Sequence, residues 1–463
     1  MKPTLSFLLG LARLAAVAHA HTIFTTLYVN DVSQGDGTCV RMSDTPSTCT
    51  SPVSSITSDD MACGANGQKA VAFTCPAPAG GKLTFQWRLW ADAEQPGVLD
   101  KSHKGPCAIY AKQLDSSSSS SSSDAGSAAG PGWFKLWDEG YDEAAGLWCT
   151  EKLIADDGLL SFRIPAALPP GNWLFRPELL ALQNANQGDP QFYVGCAQVF
   201  VEGAKAEEGG DETTAAAVMP SSKSVSIPGH VSADDPGLNF NIYSNKPAFP
   251  YPIPGPPVFV PSSSSSSSSP AKKTIIKQTE GQVPDDYLIK NANWVGVEVD
   301  AYTTQDGCWA SAEQCWDQAE TCYDAAPPTG NANCRVWEAR CTEINDACDA
   351  GDYVGPPHGG EKLADDEPEP VPAAEIPAPV NEGQGDDGGD GEGGEDAEGG
   401  SSETTAAASN SQPAPTAPAA VDDSYGEEES PVVVTVTRVV TMRAAAETGV
   451  GRRSAYRHRH QFR

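Results

Sequence analysis

Short segments in which apolar and polar residues alternate run through the first half of the chain. The clearest examples are residues 83–87, 158–164 and 191–201, and a period of two is typical of half-buried strands. Turn-forming Gly, Pro, Asn and Asp residues separate these segments. Many short strands divided by such turns predict a mainly β fold, and we expect residues 21–258 to form one β-sandwich.

A different pattern occupies residues 285–357, where six cysteines form two triplets with a spacing of seven. Positions seven apart lie on nearly the same face of a helix, so each triplet predicts one helix with a stripe of thiols. The Pro-Pro-Thr-Gly segment at 327–330 would break the helix between the triplets. In an antiparallel register the triplets oppose each other, which predicts a small α-hairpin closed by disulfides. The expected pairs are Cys308–Cys348, Cys315–Cys341 and Cys322–Cys334.

The remaining segments have the composition of a leader, a linker and a tail. Residues 1–20 combine a lysine, an apolar run and an Ala-His-Ala ending, which is the pattern of a secretory signal peptide. Residues 259–284 are rich in Pro and Ser and are predicted to be a linker. Residues 358–463 are first acidic and then basic, and we expect them to be disordered.

The formal net charge of −32 over 463 residues narrows the range of partners. Such acidity argues against binding to nucleic acid or to anionic membranes, whereas a neutral polysaccharide remains compatible. Thirteen cysteines behind a secretion signal predict disulfides in an extracellular protein. Because thirteen is odd, at least one thiol stays unpaired in the monomer that we expect.

Cleavage after Ala20 would make His21 the first residue of the mature chain. Its free α-amine and its imidazole Nδ1 could then close one chelate ring on a metal, which no internal histidine can do. His103 precedes a Gly-Pro turn and is expected on a loop at the edge of the sandwich. Gln191 and Tyr193 are two residues apart, so they share one face of a strand.

These residues together offer an amine, two imidazoles and a phenol. Three nitrogens in one plane with a more distant tyrosine oxygen suit Cu(II). Zinc would more usually add a carboxylate or a thiolate, and no such residue is tied to the set by spacing. His103 alone could be a hydrogen-bonded structural residue, but its combination with His21 favours a site for one copper ion.

Five segments of the chain resemble the fungal lytic polysaccharide monooxygenases of auxiliary activity family nine. They are HTIF at 21–24, SHKGP at 102–106, GWFK at 132–135, PQFYVGCAQ at 190–198 and IPG at 227–229. The resemblance covers about residues 21–258. It implies an immunoglobulin-like β-sandwich with one copper ion on a flat face. It also implies oxidative cleavage of cellulose or related β-1,4-glucans at C1 or C4, with an external electron donor and O2 or H2O2 as co-substrate.

The same resemblance implies roles for individual residues. His21 and His103 would bind the copper ion, Tyr193 would take the axial position, and Gln191 would form a hydrogen bond beside the metal. Cys63 and Cys196 would form a disulfide, and Tyr243 and Tyr251 would be surface tyrosines that stack on sugar rings. Trp133, Trp137 and Trp148 are instead expected in the core.

The chain departs from the family at Gln183, where the family usually has a histidine that forms a hydrogen bond to oxygen species near the copper. A glutamine can donate a hydrogen bond but cannot take up or release a proton near neutral pH. An alternative function is therefore a secreted copper-binding protein with little or no monooxygenase activity. A glycoside hydrolase is a weaker alternative, because no motif marks the required pair of carboxylates.

The six-cysteine segment also resembles an accessory module found at the C-terminus of some members of the family. Linkage to a polysaccharide-binding module would raise the effective concentration of substrate at the copper domain. Four tryptophans of this segment could stack on sugars or could pack between the helices, and we expect packing for most of them. They are Trp294, Trp309, Trp316 and Trp337.

Overall fold

The structure is a computed structural model of the chain. It describes residues 21–93, 95–114, 127–203, 219–245, 248–261 and 277–364. The predicted signal peptide, part of the predicted linker and most of the predicted disordered tail lie outside the described residues.

Two β-sheets form the sandwich. In spatial order, the smaller sheet contains the antiparallel strands β10 (Leu159–Arg163), β5 (Lys82–Arg88), β1 (Ile23–Val29) and β2 (Val32–Asp36). The main path of the larger sheet contains β14 (Val225–Ile227), β7 (Gly130–Glu139), β6 (Cys107–Gln113), β11 (Gly171–Asn184), β13 (Cys196–Glu202) and β3 (Val40–Arg41). The strand β12 (Asp189–Val194) pairs with β11, and β4 (Cys75–Pro78) runs parallel to β13.

Smaller elements complete this part of the chain. A short hairpin is formed by β8 (Tyr141–Asp142) and β9 (Leu147–Trp148), and two helices are present, α1 (Asp60–Cys63) and α2 (Cys149–Ala155). Neither helix was expected from the sequence, because each is too short for a helical period to stand out. The stretch predicted as strand over 191–201 is divided at Gly195 into β12 and β13.

The apolar core lies between the two sheets, which confirms the predicted mainly β sandwich. The rings of Phe24 and Phe85 from the smaller sheet lie 5.3 Å apart and share one buried cluster with Phe175 and Val199 of the larger sheet. The larger sheet has a second buried cluster that includes Trp133 and Trp148. The three tryptophans predicted to be core residues are buried, with exposures of 0% for Trp133, 7% for Trp137 and 4% for Trp148.

Disulfides fasten the sandwich at three points. Cys63 is bonded to Cys196, the pair that the family resemblance implied. The other two bonds join Cys39 to Cys75 and Cys107 to Cys149. Cys49 remains a free thiol, in agreement with the odd number of cysteines.

The six-cysteine segment forms a helical hairpin with a small two-stranded sheet. Its helices are α3 (Gln305–Ala325) and α4 (Ala332–Ala350), and its strands are β15 (Ile289–Asn291) and β16 (Trp294–Gly296). The disulfides Cys308–Cys348, Cys315–Cys341 and Cys322–Cys334 have the pairing that the antiparallel register predicts. None of the helices in the described ranges has the length and apolar character needed to cross a bilayer.

The hairpin module packs directly on the sandwich at the turn that follows β2. The side-chain amide of Asn293 accepts a hydrogen bond from the Cys39 backbone N–H (3.0 Å) and donates one to the Gly37 carbonyl oxygen (2.7 Å). The ammonium group of Lys290 donates to the carbonyl oxygen of Gln34 (2.9 Å). These contacts hold the module in one orientation, a feature that the sequence did not indicate.

Both ends of the predicted linker also contact the sandwich. The Phe259 backbone N–H donates to the Lys135 carbonyl oxygen (2.7 Å). At the other end, the Gln278 side chain donates to the Thr74 carbonyl oxygen (2.7 Å), and the Thr74 N–H donates to the Gly281 carbonyl oxygen (2.8 Å). The segment 277–283 therefore follows the sandwich surface before it enters the module.

We expect Asn293→Ala to lower the free energy of unfolding by about 1–3 kcal/mol, because the N–H of the buried Cys39 would lose its acceptor. Urea denaturation followed by tryptophan fluorescence measures this change. Gln34→Ala is the matched control, since it removes only an exposed side-chain hydrogen bond in the preceding strand β2. Equal stability of the two variants would contradict the docking role of Asn293.

Candidate metal centre

The start of β1 places His21 beside the loop that carries His103. The Thr22 hydroxyl donates to the Val98 carbonyl oxygen (2.7 Å), and the Thr22 N–H donates to the Thr50 carbonyl oxygen (3.1 Å). Thr22 is only 2% exposed, so these bonds are shielded from water. The chain direction at His21 is therefore fixed by the residue that follows it.

The loop that carries His103 is hydrogen-bonded to β11. The Leu182 N–H donates to the Lys104 carbonyl oxygen (2.9 Å), and the Leu180 N–H donates to the Pro106 carbonyl oxygen (3.1 Å). Between them, the Gly105 N–H donates to the hydroxyl of Thr150 in α2 (2.9 Å). The residues after His103 thus extend the sheet next to the end of β11.

Gly105 allows this close approach because it has no side chain. A Cβ atom at position 105 would lie 1.8 Å from the Leu180 carbonyl oxygen, which is far inside any van der Waals contact. The glycine of the Ser-His-Lys-Gly-Pro segment therefore fixes the distance between the His103 loop and β11.

His103 is largely buried, with 6% exposure, and its Nδ1 atom lies 3.1 Å from the Ser102 hydroxyl. Burial lowers the pKa of His103, and the charge of nearby His21 lowers it further, although Asp100 and Gln191 act in the opposite direction. The imidazole is therefore held in its neutral form, the form that binds metals.

Tyr193 and Gln191 project from the same face of β12 toward His103. The rings of Tyr193 and His103 have centroids 6.0 Å apart. The Tyr193 hydroxyl donates to Gln191 Oε1 (3.0 Å), and Phe192 between them is 1% exposed within the other apolar cluster. Burial and the charge of Asp189 raise the pKa of Tyr193, so the phenol stays protonated.

Gln183, near the end of β11, belongs to the same hydrogen-bonded group. Its Nε2 donates to Gln191 Oε1 (2.7 Å), the oxygen that also accepts from Tyr193. Gln191 in turn donates to Asp189 Oδ2 (3.1 Å). Among the described residues, Gln183 Oε1 is buried and has no hydrogen-bond partner. An unused acceptor therefore lies within the group.

Asp189 is a residue of the candidate site that could not be recognised from the motifs alone. It precedes Gln191 by two residues and Tyr193 by four, so the same period of two could have found it. Its carboxylate accepts a hydrogen bond from the Gln191 amide. This bond orients Gln191 Oε1, the oxygen that accepts hydrogen bonds from Tyr193 and Gln183.

The donors present fit a nitrogen-rich metal site. Within the described ranges, no group of three or more His, Cys, Asp or Glu side chains could hold a metal ion. The available donor groups are the imidazoles of His21 and His103 and the phenol of Tyr193. Cleavage after Ala20 would supply the α-amine of His21 as a third nitrogen. Such a set suits copper better than zinc or calcium, which prefer additional thiolate or carboxylate ligands.

The two predicted sugar-stacking tyrosines lie in different environments. Tyr243 is 63% exposed and is available to a ligand. Tyr251 is only 7% exposed, donates its hydroxyl to the Gly237 carbonyl oxygen (3.0 Å) and packs against Trp148 at 4.9 Å. The expected stacking role of Tyr251 is therefore wrong, because its ring belongs to the core.

The chain has close relatives among known proteins. Residues 21–251 match the family described as Auxiliary Activity family 9 (formerly GH61). The chain is 46% identical over 361 residues to AA9 family lytic polysaccharide monooxygenase C of Aspergillus tamarii, covering 77% of this chain and 92% of that protein. It is 47% identical over 349 residues to AA9 family lytic polysaccharide monooxygenase H of Botryotinia fuckeliana (strain B05.10), covering 74% of this chain and 76% of that protein. Both alignments are longer than the family match, so the similarity continues outside it.

We expect Gly105→Ala to destabilise the fold by at least about 3 kcal/mol, because the new methyl group would strike the Leu180 backbone. The free energy of unfolding in urea measures the loss. Gly203→Ala is the matched control, since no atom lies within 4 Å of a Cβ at that position. A Gly105→Ala protein as stable as the control would show that the loop does not need this close contact.

Proposed function

The chain belongs to Auxiliary Activity family 9, and we propose that it is a secreted copper enzyme that cleaves cellulose or a related β-1,4-glucan at C1 or C4. Family membership makes it an oxidative enzyme that acts on polysaccharides. The observation that carries the finer proposal is the grouping of His103, Tyr193 and Gln191 beside His21.

The proposed copper ligands are the α-amine and Nδ1 of His21, a ring nitrogen of His103 and, more weakly, the oxygen of Tyr193. A copper ion held by these residues would supply one-electron chemistry toward O2 or H2O2, with an external donor as the reductant. The protein keeps the His103 imidazole neutral through burial and keeps the Tyr193 phenol protonated. A protonated phenol is a weak ligand, so the oxygen of Tyr193 would hold copper less strongly than the nitrogens of His21 and His103 would.

We assign substrate binding to the surface around the candidate metal centre. Tyr243 is the exposed aromatic residue proposed to stack on a sugar ring, since aromatic faces pack well against the apolar faces of sugars. The net charge of −32 favours an uncharged polymer over an acidic one.

A second candidate function is copper binding with little turnover, and Gln183 is the observation that favours it. Its amide already donates to Gln191 Oε1, and an amide cannot pass a proton to an oxygen species. The unpaired Oε1 can accept one hydrogen bond, so Gln183 can orient a bound molecule without exchanging protons with it. Copper affinity should survive this change, whereas the rate of oxidation should fall.

We expect mature protein that begins at His21 to bind one copper ion and to release oxidised oligosaccharides from cellulose when a reductant is present. Protein with one alanine added before His21 should lose copper affinity by at least about 100-fold, because the chelating amine would become a peptide nitrogen. Calorimetry and electron paramagnetic resonance measure binding, and mass spectrometry identifies the products. Copper binding without products would support the second candidate, and the absence of copper binding would refute both.

We expect Gln183→His to increase the rate of oxidised-product release at neutral pH by about tenfold or more, since imidazole can exchange a proton. Copper affinity should stay within about threefold, because position 183 is not a proposed ligand. Gln183→Asn is the matched control, since it keeps an amide and should give no gain. A histidine variant that is no faster than the control would contradict the assigned role of position 183.

A further inference from the structure

Three aromatic residues form a regular row on α3. Trp309, Trp316 and Tyr323 are each separated by seven residues, and each follows a disulfide-bonded cysteine. Seven residues of an α-helix advance about 10.5 Å and return to nearly the same face. The two tryptophans are half-buried and Tyr323 is 37% exposed, so the row reaches the surface. We call this the aromatic row of α3.

The core of the module uses other tryptophans. Trp294 and Trp337 are 8% and 0% exposed, and their rings pack at 5.8 Å. Their indole N–H groups are satisfied by the Thr321 hydroxyl (3.0 Å) and by the Cys315 carbonyl oxygen (3.0 Å). The indole N–H of Trp316 is buried as well, and it has no acceptor within the described part of the chain. Trp294 and Trp337 thus form the centre of the core, and Trp309 and Trp316 pack against it while half-buried.

The aromatic row lies on the flank of α3 away from the one that residues 297–300 contact. Residues 297–300 run along the other flank, where Gln318 Oε1 accepts from the Val297 N–H (2.9 Å) and the Ser311 hydroxyl donates to the Asp300 carbonyl oxygen (2.6 Å). The hydrogen bonds to the sandwich come from the β15–β16 turn. The two tryptophans are half-buried, and Tyr323 is 37% exposed with its hydroxyl donating to Glu338 Oε2 (2.7 Å), so the row is partly exposed.

Two carboxylates on α3 are seven residues apart, the same spacing as the rings of the aromatic row. Glu313 follows Trp309 by four residues and Glu320 follows Trp316 by four, so each acid lies one helical turn beyond a ring. Both acids are exposed. Carboxylates accept hydrogen bonds from hydroxyl groups and repel anions. This chemistry excludes an acidic polymer and suits a neutral chain rich in hydroxyl groups.

We propose that the aromatic row of α3 binds one extended β-1,4-glucan chain, with successive disaccharides stacked on Trp309, Trp316 and Tyr323. In a flat β-1,4-linked chain alternate sugars present the same face, so the chemical repeat is a disaccharide. The length of that repeat is close to the spacing of the rings. Glu313 and Glu320 accept hydrogen bonds from hydroxyl groups at the edge of the chain. The choice of a glucan rests on the proposed function.

The test is the partition of full-length mature protein onto microcrystalline cellulose, with copper removed by EDTA so that binding at the metal face is minimised. We expect Trp309→Ala and Trp316→Ala each to weaken partition about tenfold, and Tyr323→Ala to weaken it less. Trp309→Phe keeps a ring and should retain most of the binding. Val336→Ala is the matched control, because Val336 is an exposed apolar residue on the other helix of the hairpin, α4.

Unfolding midpoints separate loss of binding from loss of structure. Alanine variants with the wild-type midpoint that bind cellulose within twofold of wild type would overturn the proposal. If the tryptophan variants unfold, the Tyr323→Ala variant provides the test, because Tyr323 is exposed. Unchanged cellulose binding by that variant would also overturn the proposal. Stronger partition onto chitin than onto cellulose would overturn the choice of a glucan.

A matched activity assay distinguishes this proposal from the proposed function. Copper-loaded wild type and row variants are compared on soluble cello-oligosaccharides, where anchoring to a solid surface has no effect. Equal oxidation by all proteins, with weaker cellulose binding by the variants, supports both assignments. Weaker binding by the variants, with no oxidation of cellulose by the copper-loaded wild type, supports the row and refutes the enzyme function. Oxidation with unchanged cellulose binding supports the enzyme and refutes the row.

Discussion

The hydrogen-bonded ladder around β11 is the constraint on which the candidate metal centre depends. Residues 171–175 of this strand pair with β13, residues 173–179 pair with β6, and its far end pairs with β12. The loop after His103 attaches to the same end through the backbone of Leu180 and Leu182. One 14-residue strand thus positions both the His103 loop and β12, and it carries Gln183 itself. A shift of any one segment would break backbone bonds in the others.

Buried charge holds this strand against α1. Arg176 is fully buried, with its guanidinium 2.7 Å from Glu178 Oε2 and donating to the Met61 carbonyl oxygen (2.7 Å). Burial alone would raise the pKa of Glu178, but Arg176 and His230 lower it to about 2. The carboxylate therefore remains charged at any physiological pH. Removal of one partner would leave the other charge buried and uncompensated, which is among the costliest defects a core can contain.

Local periodicity explains which features the sequence could predict. The seven-residue spacing of the cysteines defined both helices and all three of their disulfides, because a helix converts spacing directly into geometry. Gln191 and Tyr193 were identified together for the same reason in a strand. The burial of Tyr251 could not be predicted, because a tyrosine in a proline-rich segment has no period that distinguishes surface from core. The contact of Asn293 with Gly37 likewise joins residues 256 positions apart and leaves no local pattern.

The packing around Gly37 also limits which sandwich domains can carry this module. A Cβ atom at position 37 would lie 2.9 Å from side-chain atoms of both Ala292 and Pro327, and the backbone there has φ +72°. A side chain at this position would therefore force the module to shift from its present orientation. A hairpin fused to another family member would need a compatible turn at this position to dock in the same way. The two parts are therefore expected to evolve as one unit, with substitutions in the turn and in the β15–β16 loop tied to each other.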